Sequence, residues 1–160
     1  MKNKALFVGK FQPFHKGHLH AIKYILANFQ EIIIVIGSSN KRNTFENPFS
    51  FEERMDMIKK SGVDCKIISV KDVEDDMKWV KSIIKGVKFN AAITGNDWVK
   101  RCFLNSGYRV IEPDFLEPEK YNGSKIREMM ARNDENWKKL VPEGTLEVLE
   151  KINITERFKI

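Results

Sequence analysis

Cysteine is scarce. Cys65 and Cys102 are the two in 160 residues, and neither has a neighbour at metal-ligand spacing. A disulfide framework and a zinc centre are therefore not expected, nor any other metal-ligating set, and free thiols suit a reducing, cytoplasmic location. Long apolar runs are missing as well, so no membrane span is expected. The apolar run after Lys4 is too short for a signal peptide and meets Gly9 and Lys10 at once. No internal repeat, low-complexity tract or linker occurs, and the chain reads as a single domain, 1–160. Also missing are G-x-S-x-G, a Ser-His-Asp order and a Cys–His pairing, the usual marks of a protein nucleophile. There is no basic stripe interleaved with aromatics, so nucleic acid is not an expected partner.

What is present is apolar segments in alternation and a surplus of positive charge. Hydrophobic residues make up 42% of the chain, enough for a core. The 28 Lys and Arg against 22 Asp and Glu leave a formal charge of +6, which suits a polyanionic ligand and equally nucleic acid, so charge alone decides nothing. Apolar runs at 5–8, 31–37, 65–70, 90–94 and 108–111 predict five strands. Helical stretches fall at 16–28, 51–61, 77–86 and 97–105, and two more at 134–141 and 144–152. Ser50 and Glu53 form a capping-box signature. The alternation predicts an α/β fold: a doubly wound five-stranded parallel sheet, Rossmann-like, order 3-2-1-4-5, followed by C-terminal helices. The order reverses between strands 1 and 4, so Gly9 and Gly95 at their ends flank the crevice where such sheets bind ligands.

The most informative stretch is KALFVGKFQPFHKGH, residues 4–18. A strand buried on both faces ends at Gly9, Pro13 keeps 11–14 out of a helix, and a helix starts near Lys16. His15 and His18 then lie three apart at a helix start, where backbone N–H groups are unpaired and the dipole is positive. With Lys10 and Lys16 nearby, this reads as a phosphate site. A second such site is YNGSKIR, residues 121–127, with Ser124 as N-cap and Lys125, Ile126 and Arg127 opening a helix. Gly37, Ser38 and Ser39 form a turn with free hydroxyls and amides. A long polar loop, 40–50, follows and is anchored by Pro48 and Phe49. Arg54 reads equally as a ligand contact or a structural helix charge. Asp97 reads as a helix N-cap, and Trp98 and Trp137 as packing residues. Trp79 sits at core spacing, and could alternatively offer a face on which a pyridine ring stacks.

The string GKFQPFHKGH at 9–18 resembles the H-x-G-H signature of the nucleotidyltransferase superfamily, shared more distantly with class I aminoacyl-tRNA synthetases. Its flanks are similar to those of archaeal-type nicotinamide-nucleotide adenylyltransferases, whose usual string is GRFQPFHxGH. Here Lys10 replaces an arginine, and lysine cannot grip a phosphate bidentately. The segment GSS…TFENPFSFEER, the G-N turn at 95–96, the 121–127 stretch and the LVPEGTLEVLEKI tail continue the resemblance over nearly the whole chain.

The resemblance implies adenylyl transfer from ATP to nicotinamide mononucleotide (NMN). ATP would be bound by Gly9, Lys10, Phe11, Gln12, His15, Gly17, His18, Gly95, Asn96, Ser124, Lys125, Ile126 and Arg127. Among these, Lys10, His15, His18 and Arg127 would be catalytic. NMN would be bound by Phe11, Ser38, Ser39, Asn47, Asp76 and Trp79. Asp76 stands where the family has Asn; a carboxylate accepts from a carboxamide and repels a nicotinate, which predicts preference for NMN over its acid form. Mg²⁺ is expected, held mainly through ATP phosphates, and the family implies a homo-oligomer, often a hexamer. Alternatives are another phosphorylated acceptor (FMN, phosphopantetheine or nicotinate mononucleotide) and a non-catalytic nucleotide-binding sensor.

Overall fold

The computed structural model describes residues 3–158. They group into two compact units. One holds the chain up to Gly9, Ile22–Ser39 and Cys65–Asp114; the other holds Lys10–Ala21, Asn40–Asp64 and the chain from Phe115.

The first unit is the sheet. Its strands are β1 (Lys4–Gly9), β2 (Glu31–Ile36), β3 (Lys66–Ser69), β4 (Ala91–Ile93) and β5 (Val110–Ile111). All neighbours are parallel, and the order is β3-β2-β1-β4-β5, as the alternation of elements predicts. After Lys4 and Glu31 at their starts, central β1 and β2 are apolar without a break because both faces are covered: Ala5, Leu6, Phe7 and Val8 are each 5% exposed or less. Leu6, Val8, Ile33, Val35 and Ala92 share one core cluster with residues of α3 (Asp76–Ile84) and α4 (Asp97–Asn105). In α3 the inward residues Trp79, Val80 and Ile83 recur at helical spacing.

The second unit is helical. It holds the first half of α1 (Lys16–Asn28), α2 (Phe51–Lys60), α5 (Gly123–Ala131), a 3-10 helix at Glu135–Leu140, α6 (Glu143–Glu150) and α7 (Ile154–Arg157). The capping box of α2 is present in full: Ser50 accepts from the Glu53 amide and Glu53 accepts from the Ser50 amide. Gly144 lets α6 approach the end of α2 closely; a Cβ there would lie 2.3 Å from the Lys60 carbonyl carbon. Thr145, beside it and buried, donates to the Phe14 carbonyl at 2.8 Å and so ties α6 to the loop ahead of α1.

Three local expectations are corrected. The cap of α4 is Asn96, which accepts from Val99 N, and Asp97 is the first helical residue. The cap of α5 is Asn122, which accepts from Lys125 N, so the helix begins two residues earlier than a Ser124 cap requires. In both cases the amide side chain one position or two upstream reaches the N3 amide first. The 134–141 segment is a 3-10 helix capped by Asp134 rather than an α-helix, and α7 is a short turn the sequence pattern does not announce. No helix among the described residues is long and apolar enough to cross a membrane.

Candidate active site

The start of α1 is capped by its own histidines. His15 Nδ1 accepts from Gly17 N at 3.1 Å and from His18 N at 3.4 Å, while His18 Nδ1 accepts from His15 N at 3.0 Å. The amides of Gly17 and His18, expected to be free for a ligand, are thus already paired. A nitrogen that accepts from a backbone N–H carries no proton, so each ring keeps its hydrogen on Nε2 and presents it as a donor. The rings stack at 3.6 Å between centroids, and His18 is further enclosed by Phe14 at 5.6 Å and Phe11 edge-on at 4.7 Å. Burial lowers the pKa of His15 to about 4. Burial, and then the neighbouring His15, push His18 well below the usual imidazole range. At neutral pH the site holds two uncharged imidazoles.

Gly17 explains the spacing of the signature. A Cβ on it would stand 2.9 Å from His15 Cε1 and 3.0 Å from Tyr121 Cβ. Any side chain would press on the His15 ring and on Tyr121 in the lead-in to α5. The start of α5 arrives on the same side: Arg127 Nη1 donates to the Gln12 carbonyl at 2.9 Å and Nη2 to Ser124 Oγ at 3.2 Å. Burial pulls the Arg127 pKa down, opposed by Glu46 and Glu128. Its Nε is buried without a protein partner among the described residues. The two helix starts read from the sequence are therefore neighbours, with His15, His18, Gln12, Ser124 and Arg127 on one unit. In the same unit Lys10 is exposed and Ile126 is buried at the first turn of α5. Lys125 Nζ donates to the Glu119 carbonyl at 2.6 Å.

Buried pins hold the loop before α1. Gln12, 3% exposed, donates to the Phe49 carbonyl at 2.9 Å and accepts from Phe49 N at 3.0 Å. Phe11, 1% exposed, adopts a left-handed φ of 57°, a conformation L-residues adopt at a cost. Arg54 is fully buried; it donates through Nε to Ser50 O and through Nη1 to Lys10 O. Of its two readings the structure supports the positional one. It lies three and four residues before Met57 and Ile58, the other buried residues of α2, so its inward direction was readable from spacing.

The remaining expected residues belong to the sheet unit, apart from Asn47. Ser38, with φ 49°, donates its hydroxyl to Asp72 at 2.9 Å, and Ser39 N donates to Val70 O. That turn is hydrogen-bonded, where free groups were expected. Trp79 is 3% exposed and packs against Trp98 at 4.6 Å and Phe103 at 6.1 Å, a core placement. Trp98, expected as packing, is 36% exposed, and its indole N–H donates to Asp76 Oδ1 at 3.1 Å. Gly95 is exposed, and Asn96 has its side-chain oxygen in the α4 cap. Asn47, in the helical unit, is 5% exposed, and its Oδ1 has no protein partner among the described residues.

Residues 6–129 match the cytidylyltransferase-like family. The chain is 37% identical over 164 residues to a nicotinamide-nucleotide adenylyltransferase of Ignicoccus hospitalis, covering 98% of this chain and 96% of that one. It is 38% identical over 162 residues to the protein of the same name from Methanococcus aeolicus, covering 98% and 93%. The chain belongs to the nicotinamide-nucleotide adenylyltransferase family. Among solved structures it resembles a bifunctional NMN adenylyltransferase/ADP ribose pyrophosphatase from Francisella tularensis, crystallised with AMP and a Mn ion. The TM-score is 0.74 at 28% identity, over 98% of this chain and 51% of that one. The chain thus spans about half the length of that bifunctional protein. The adenylyltransferase relatives, by contrast, are matched nearly end to end.

Proposed function

We propose that the protein transfers the adenylyl group of ATP to nicotinamide mononucleotide, giving NAD and pyrophosphate. The observation that carries the reading is the pair of imidazoles at the start of α1 beside Arg127 of α5, in a chain of this family. The attacking group is the phosphate of NMN, largely ionised at neutral pH. It needs no general base, which agrees with two histidines whose Nδ1 atoms are committed to backbone amides. The obstacle is charge, because two anions must meet and pyrophosphate must leave. Catalysis is then a matter of positioning and electrostatic stabilisation. His15 and His18 offer Nε2–H donors to the α-phosphate and its pentavalent transition state. Arg127 and Ser124 hold the leaving pyrophosphate, and Lys10 meets the incoming or α-phosphate as a point charge.

Mg²⁺, held mainly through ATP rather than by protein ligands, would supply neutralisation of part of the phosphate charge. The residues around the two helix starts are N–H donors suited to phosphate oxygens. No group of three or more His, Cys, Asp or Glu able to hold a metal occurs among the described residues. On the sheet unit, Asp76 supports the amide form of the acceptor over the acid. A homo-oligomer acting in the cytoplasm is the setting the family resemblance supports.

The test is incubation with ATP, Mg²⁺ and NMN, expecting NAD and pyrophosphate in equal amounts. ATP binding without pyrophosphate release would overturn the reading in favour of a sensor. Turnover with FMN, phosphopantetheine or nicotinate mononucleotide in place of NMN would move it to another acceptor.

A further inference from the structure

The 40–47 loop lines a cavity of about 610 Å³ with Lys41, Arg42, Thr44 and Asn47 among its walls. Lys41 and Arg42 against the single carboxylate of Glu46 leave the lining net positive, and the buried Asn47 Oδ1 has no protein partner among the described residues, a combination that suits a phosphorylated, hydroxyl-bearing ligand. In the family this chain belongs to, the region after the G-S-S turn is the part that resemblance assigns to the acceptor's phosphate, and the 40–47 loop is taken in that role. The loop contains no helix or strand, and Thr44 N donates to Asn47 O at 3.3 Å. Thr44 Oγ1 accepts from Asn47 N, and Asn43 N donates to Pro48 O.

Its far support comes from α7. Arg157 Nη1 and Nη2 donate to Glu53 Oε1 and Oε2 at 2.7 Å each, a two-pronged ion pair, and Nη1 also reaches the Pro48 carbonyl at 3.3 Å. Phe158 packs on Phe45 of the loop at 5.6 Å between ring centroids. Burial would raise the Glu53 carboxyl, but hydrogen bonds from Arg157 and from Ser50 outweigh it and hold the group below its usual range. The carboxylate that Arg157 grips is the same one that closes the α2 capping box. Arg157 and Phe158 therefore hold both the exit of the loop and a residue within it.

We propose that Arg157 and Phe158 are positioning residues for the acceptor: they act through Glu53, Pro48 and Phe45 to set the 40–47 loop around the acceptor's phosphate. This rests on the adenylyl-transfer reading. In the full chain, Arg157→Ala should raise KM for NMN about tenfold, with KM for ATP and kcat within about twofold, the pattern of lost binding rather than lost chemistry. Arg157→Lys keeps the charge but not the fork and should recover part of the affinity. Phe158→Ala should give a smaller rise, and carries the test if Arg157→Ala does not fold. An unchanged KM for NMN in these variants, or equal changes in both KM values and kcat, would overturn the proposal. Trypsin cleavage after Lys41 and Arg42 gives a readout independent of activity: it should quicken several-fold in Arg157→Ala, and an unchanged rate would likewise overturn the positioning role. Absence of NAD formation by the unaltered protein would sink the functional reading instead, with the proteolysis result still standing for the loop.

Discussion

At the start of α1 each histidine commits Nδ1 to a backbone amide and leaves Nε2–H as its outward donor. Burial lowers the pKa of both rings, so in the proposed reaction the pair would stabilise phosphate charge as two dipoles rather than as two cations. His18→Ala removes one donor and also the acceptor for His15 N. The expected result is a fall in kcat of roughly 10²-fold or more, read in steady-state kinetics with NMN and ATP; near-normal kcat would remove His18 from the chemistry. The same burial fixes a pH dependence of stability. His15 has a folded pKa of about 4 against about 6.5 when unfolded. Below pH 6.5 the unfolded chain takes up a proton the folded chain refuses, so stability is full above that pH and declines until the folded pKa is reached. For His15, 7% exposed, the loss amounts to on the order of 3 kcal/mol. Urea unfolding at pH 7 and pH 4.5 should show it, and His15→Asn should flatten that decline.

At the scale of elements, periodicity located every strand and most helices, because burial on one or both faces writes itself into spacing. Caps were less legible. Asn96 and Asp97, or Asn122 and Ser124, are all competent caps by type, and choosing between them depends on which backbone turns first, a matter the surrounding packing settles. The approach of α6 to α2 was not legible at all. Gly144 reads as an ordinary helix glycine until its neighbours are known. An added Cβ there meets backbone atoms of Lys60 and Ser61 within 2.6 Å, and backbone cannot swing aside as a long side chain can. Gly144→Ala should therefore destabilise by about 1–3 kcal/mol or more, lowering the urea midpoint and loosening the Thr145–Phe14 bond that supports the histidine loop. A variant as stable as the parent would mean that α6 shifts freely.

For the molecule as a whole, topology followed from the order of elements, since parallel strands joined by helices leave few ways to wind a sheet. The helix-start motifs also carried over, because H-x-G-H and S-x-x-R record close approaches that tolerate few alternatives. Residues on the sheet unit were harder: Trp79 and Asp76 are named by position, yet one is packed into a core and the other holds Trp98, relations that only folding creates. What the whole chain adds beyond any residue is field. Its formal charge is +6 with histidines neutral, and the enclosure that lowers the pKa of His15 and His18 favours their neutral forms, so the surplus lies on Lys and Arg. Both proposed substrates are anions. Long-range attraction raises their encounter rate and is screened by salt over about 10 Å at 0.1 M. Raising ionic strength from about 0.05 M to 0.5 M should lower kcat/KM for ATP and for NMN several-fold. The change should fall on KM, because contacts already made inside the site are short and partly buried and kcat feels them locally. Measuring both parameters against added potassium chloride separates the two. Should kcat fall while KM holds, the salt would be acting on the helix-start contacts themselves, and the surface charge would have no part in gathering substrate.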